Sequence, residues 1–144
     1  MSSRAWDSLK AMTNNTQAPT TISNIGVAMF TIADQDAAIA YYTQTLGWEL
    51  RADVPFGDEG GNRWVEVAPP GSAARLALNP PMGDWGPGGS SVGVETPDVA
   101  AEYARVNDID GVTTGDMMGG EGPVPKMFNI IDPDGNHIWV VQAP

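Results

Sequence analysis

Cysteine is absent from the 144 residues, which excludes disulfides, thiolate metal sites and a cysteine nucleophile together. Histidine occurs once, at position 137. Basic residues are also scarce: seven Lys and Arg stand against 18 Asp and Glu, a net charge of −11. Such a chain repels phosphate backbones, so nucleic-acid binding is not expected. An acidic field attracts cationic ligands, although solubility alone would account for it. No run approaches the roughly 18 consecutive apolar residues of a membrane-spanning helix. The first residues lack the basic-then-apolar pattern of a signal peptide, so a cytoplasmic location is expected, with no membrane partner.

Hydrophobic residues make up 42% of the chain and charged residues 17%, the balance of an ordinary globular protein. The length suits one compact domain or two small modules sharing a core. Residues 1–21 are polar, with Trp6 and Met12 as the only large anchors, and read as an N-terminal arm with one helical turn at Ser8 to Met12. Ile22 to Ala33 reads as a first strand. Asp34 and Asp36 offer N-caps for a helix from Ala37 to Leu46, whose stripe is Ile39, Tyr42 and Leu46, with Gly47 as the stop. Three strands follow, at Trp48 to Asp53, Arg63 to Ala68 and Ala74 to Leu78. Asn79 to Gly89 holds three prolines and four glycines and reads as a linker.

The same order then recurs. Ser90 to Glu95 is a strand, Val99 to about Asn107 a helix, and Gly111 to Thr114 and Lys126 to Ile131 are strands. Asp132-Pro133-Asp134-Gly135-Asn136 carries the residue types of a tight turn. The apolar run behind it, through Ile138, Trp139, Val140 and Val141, predicts a last strand in the middle of its sheet. Strand, helix and three strands therefore occur twice, over residues 22–79 and 90–144, around a linker at 80–89.

Ile32-Ala33-Asp34-Gln35-Asp36-Ala37-Ala38-Ile39-Ala40-Tyr41-Tyr42, followed by Leu46-Gly47-Trp48, resembles the V-x-D-x-x-x-A-x-x-F-Y-x-x-x-L-G-F run of the vicinal oxygen chelate superfamily. That superfamily includes glyoxalase I, bleomycin-resistance proteins and extradiol dioxygenases. Val94-Glu95-Thr96-Pro97-Asp98-Val99 resembles its second-module V-x-x-D-V, and the 132–136 turn its closing D-P-D-G-N. The resemblance covers residues 22–142. It implies an α+β fold of two βαβββ modules, curled into a half-barrel mixed sheet around a cleft, and a homodimer. The modules would pair within a chain or swap between chains.

The resemblance also implies where metal ligands would stand. The first position falls at Val27, the second near Ala77, the third at Ser91 and the fourth at Trp139. Offsets of 64 and 62 residues between modules agree with the repeat. Valine, alanine and tryptophan cannot ligate a divalent cation, and one serine is not a site. No metal or other cofactor is therefore expected. The implied cleft is apolar and aromatic, with ligand contacts at Val27, Met29, Ala77, Ser91 and Trp139, and with Trp64 and Trp85 on its walls. Trp48 also fits the walls or rim, with core packing the favoured role for both Trp48 and Trp64, and the Met117-Met118 loop suits a flexible lid. A metal-independent binder of a small organic molecule, aromatic or cationic, is the expected function. The alternative is a divergent lyase, isomerase or dioxygenase-type enzyme with a non-standard site. His137, Glu95 and Glu66 are its acid/base candidates, with a bystander's role at the strand end open for His137.

If the arm serves assembly, deleting residues 1–20 should weaken dimerisation more than folding. Sedimentation across a concentration series, beside urea denaturation, tests this; an unchanged dimer affinity would refute it.

Overall fold

The computed structural model describes residues 18–57 and 60–144. The expectations for Trp6, Met12 and the turn at Ser8 to Met12 lie outside these residues. β1 (Val27–Thr31) leads into α1 (Gln35–Ala40), and then come β2 (Glu49–Pro55), β3 (Arg63–Ala68) and β4 (Arg75–Asn79). β5 (Ser91–Thr96), α2 (Val99–Asn107), β6 (Thr113–Thr114), β7 (Met127–Ile131) and β8 (His137–Gln142) repeat that order. Among the described residues no helix is long and apolar enough to cross a membrane.

The repeat extends to capping. The Asp34 carboxylate accepts from the Ala37 N–H at 3.0 Å, and the Asp98 carboxylate accepts from Ala101 N–H at 3.0 Å. Because Asp34 is the cap, Asp36 falls in the first turn and α1 begins two residues before the expected start. At Tyr41 the helix widens into a π-type turn, Tyr41–Thr45, closed by Leu46 N–H to Tyr41 O at 2.9 Å. Gly47, at φ +82°, then ends it as its position predicts.

The sheets run β1-β4-β3-β2 and β5-β8-β7-β6. In each, an outer strand pairs parallel with the module's last strand, from Val27 opposite Arg75 and from Ser91 opposite His137. β8 lies between β5 and β7, the interior place its apolar run predicts. β1 is shorter than the expected Ile22 to Ala33 because β4 supplies only five partners; Ile22 and Ile25 are left 80% and 91% exposed. β6 keeps only two of the four residues expected.

One face of each sheet is covered by its helix, and these faces share a core. Phe30, Val65, Val67, Leu76 and Leu78 come from the first sheet, and Phe128, Ile130, Ile138 and Val140 from the second. Tyr42 and Leu46 from the first helical segment, and Val99 and Val106 from α2, complete it.

The modules meet at the 132–136 turn. Asp132 is 3% exposed, and its carboxylate accepts from the Tyr42 hydroxyl at 2.9 Å and the Asn136 N–H at 2.8 Å. Asn136 Nδ2 donates to Thr31 O at 3.0 Å, and the Asp134 carboxylate accepts from Ala33 N–H at 3.0 Å. Gly88 donates to Thr31 O at 3.1 Å; its φ is +86°, and any Cβ there would collide with the Asp134 carbonyl.

Two buried tyrosines make this joint sensitive to alkali. Burial, then the Asp132 charge, pushes Tyr41 up to about 12. Burial first and Asp132 second push Tyr42 further still. A phenol whose pKa is higher folded than unfolded contributes fully below the unfolded value of about 10, and that contribution is lost as pH rises through the folded value. Stability to urea should therefore fall as pH climbs past about 10. Tyr42→Phe should flatten that fall, and an equally steep fall in the variant would sink the account.

Candidate functional site

The opposite face of the first sheet is free of its helix. Register sets Val27 beside Arg75, Met29 beside Ala77 and Thr31 beside Asn79, with Glu66 next to Ala77 on β3. Trp64, two residues before Glu66, shares that face. Val27, Met29, Ala77 and Trp64 thus form one surface: Met29 is 54% exposed, whereas Ala77 is buried by its neighbours. Asn79 Oδ1, at the end of this row, is buried with no hydrogen-bond partner among the described residues.

The second sheet repeats the arrangement. Ser91 stands beside His137, Gly93 beside Trp139 and Glu95 beside Val141. Gly93 leaves the space next to the Trp139 indole open, since a Cβ there would meet nothing within 4 Å. The pairs Val27–Arg75 and Ser91–His137 are equivalent, as are Met29–Ala77 and Gly93–Trp139. The offsets of 64 and 62 residues thus recur in the pairing of the strands.

The three acid/base candidates do not converge. Glu66 is on the first sheet, 9% exposed, and its Oε1 accepts from Arg75 Nε at 3.0 Å. His137 and Glu95 stand at opposite ends of the β5–β8 pair. His137 Nδ1 is 2.7 Å from Asn129 Nδ2. An amide nitrogen only donates, so in the neutral ring Nδ1 is the acceptor and the proton belongs on Nε2. The Asn129 amide thus engages Nδ1 of His137. Among the described residues, no three of His, Asp and Glu are grouped so as to hold a metal ion.

A cavity of about 520 Å³ opens where the outer strands of the two sheets approach each other. Ile25 and Ala28 line it from the β1 side, Val92 and Val94 from β5, and Arg75 and Glu95 supply its charges. Trp48 also reaches it, its ring tilted 59° against Tyr42 with centroids 5.3 Å apart. Glu95 and Trp48, both singled out from the sequence, line it, whereas Val27, Met29, Ala77, Ser91, Trp64, Trp85 and Trp139 do not, because the cavity joins strand edges more than 60 residues apart with the 69–72 turn. The one available signal was the equivalence of β1 and β5 in the repeat. Trp85 lies on neither sheet: it is 77% exposed in the linker, bridged to Met82. The Met117-Met118 loop is tied to β7 by two backbone bonds of 2.8 Å between Met118 and Met127, so it is pinned rather than lid-like.

A model of the Glyoxalase/Bleomycin resistance protein/Dioxygenase superfamily matches residues 24–140. The crystal structure of TnmS3, an antibiotic binding protein from Streptomyces sp. CB03234, is similar at a TM-score of 0.74 and 31% identity, covering 88% of this chain and all of that one. A member of the superfamily from Sphaerobacter thermophilus DSM 20745 is similar at a TM-score of 0.75 and 28% identity, over 86% of this chain and all of that one. Uncharacterized protein YetH of Bacillus subtilis (strain 168) is 37% identical over 59 residues, 41% of this chain. The match spans about half of that relative, 48% of its length. The α+β architecture is thus the glyoxalase/bleomycin resistance fold.

The single histidine gives a direct check on the site. Long-range nitrogen NMR should find neutral His137 as the Nε2–H tautomer, and Asn129→Ala should shift it towards a mixture. A dominant Nδ1–H form in the parent protein would reverse the donor assignment.

Proposed function

We propose that this chain, which belongs to the Glyoxalase/Bleomycin resistance protein/Dioxygenase superfamily, binds a small organic molecule without metal and without covalent chemistry. The observation that carries the reading is the identity of four residues. Val27, Ala77, Ser91 and Trp139 stand where the family resemblance puts metal ligands, on equivalent pairs of the two sheets. Three have no lone pair suited to a divalent cation. Together with Met29 and Trp64 they offer apolar and aromatic surface suited to a ring system. That the similar protein TnmS3 is an antibiotic binding protein supports this class of ligand.

The acidic balance, a net charge of −11, favours ligands with a cationic group at long range. The enzymatic alternative has weaker support, because Glu66 is engaged by Arg75 and His137 by Asn129. We place the protein in the cytoplasm and infer a homodimer, in which a second copy walls the open sheet faces. Trp85 would then contact ligand only through the linker.

Two measurements test the reading. Purified protein should carry no stoichiometric zinc, nickel, manganese or iron by elemental analysis. A panel of cationic aromatic drugs should include compounds that quench tryptophan fluorescence, with Trp139→Ala weakening their binding about tenfold, the scale of a lost aromatic contact. One equivalent of tightly held metal would overturn the proposal. So would a panel without a single quencher.

A further inference from the structure

The arginines differ in what their side chains are left free to do. Arg51 engages Glu49 through Nε and the carbonyls of Ser72 and Pro69 through its terminal nitrogens, at 2.9 and 3.2 Å. Arg63 binds Asp53 and Asp36, at 2.8 and 2.6 Å. Arg105 grips both oxygens of Glu102, at 2.7 and 2.8 Å. Arg75 engages only its Nε, with Glu66, and Nη1 and Nη2 make no hydrogen bond among the described residues. This is the arginine that lines the 520 Å³ cavity.

Glu66 thus orients a guanidinium whose outer fork remains available. A guanidinium fork matches the paired oxygens of a carboxylate or sulfonate. Gly26 lies beside it, where a Cβ would touch Nη1 at 3.9 Å and crowd Asn24 Nδ2 at 3.3 Å. On the β5 wall, the exposed Glu95 has no ion-pair partner among the described residues and accepts hydrogen bonds only. Ile25, Ala28, Leu76, Val92 and Val94 add apolar lining, beside the polar Ser72. The overall negative charge does not exclude an anionic group here, because exposed charges beyond roughly 8–10 Å are largely screened at physiological salt. The nearest donors decide.

We propose that this cavity receives a planar organic acid: an aromatic body with an oxyanion on the Arg75 fork and a hydrogen-bond donor on Glu95. The proposal rests on the small-molecule reading above, places the ligand in this cavity, which none of Val27, Met29, Ala77, Ser91, Trp64 and Trp139 lines, and adds its chemical class and orientation.

Two fluorescent probes separate the claims. 1-Anilinonaphthalene-8-sulfonate and N-phenyl-1-naphthylamine share their rings and amine and differ in the sulfonate. The parent protein should bind the sulfonate about tenfold tighter, as expected for a charge-assisted fork. Replacing the ion pair together, by Arg75→Gln with Glu66→Gln, should remove that preference and leave the neutral amine's affinity unchanged. Circular dichroism and thermal melting check that the double variant is folded. Arg75→Lys, which keeps the charge and loses the fork, should fall between the two and serves if the double variant does not fold. Glu95→Ala should weaken the neutral amine. Equal affinity for both probes, or a preference that survives loss of Arg75, overturns the assignment and leaves small-molecule binding standing. Failure of both probes to bind overturns the cavity assignment, while the drug panel and Trp139→Ala decide the small-molecule reading separately.

Discussion

The structure depends on one buried carboxylate. Asp132 lies away from water, where an unpaired charge would be strongly unfavourable, and the surrounding chain supplies its compensation. Donors arrive from the backbone of Asp134 and Asn136, from the Asn136 amide and from the Tyr42 hydroxyl. The first three hold the turn in shape, whereas the fourth comes from the other module, 90 residues away. Asn136 and Asp134 then reach the end of β1. A single turn thereby fixes where β8 begins and where β1 stops. The seam is tied at that end, while the end bounded by Ile25, Ala28 and Val92 to Glu95 is where the cavity opens.

Much of the fold was legible because local chemistry agrees with it. β3 and α2 run as their patterns predict, the Asp34 and Asp98 caps repeat, and the interior place of β8 follows from its apolar run. The shared faces of Val27, Met29 and Ala77, and of Ser91 and Trp139, follow from strand parity alone. Where the reading fell short, the deciding partner is distant in sequence. β1 is short because β4 is short, which no residue between Ile22 and Gly26 reveals. The turn at 132–136 read as local scaffold and is the joint between modules, because Tyr42 carries no sequence mark of its bond to Asp132. Glu66 and Arg75 have matching strand parity, but their ion pair follows only from the packing of β3 on β4.

With basic residues scarce, each guanidinium among the described residues has a distinct task. Exposed ion pairs contribute about 0–1 kcal/mol, so their number explains little of the stability. What Arg51 adds is attachment of the 69–72 turn to β2, through two carbonyls that would otherwise need water. Arg105 similarly reaches the Leu46 carbonyl at the end of the first helical segment, linking the helices of the two modules. Arg75 ties nothing comparable together. Its bond to Glu66 neutralises both charges on the first sheet and leaves the outer donors unengaged. A neutral pair of this kind adds directional hydrogen bonding to an apolar wall without adding net charge. Aromatic surface and a polar anchor can therefore lie side by side in one cavity, where an isolated cation would instead demand water.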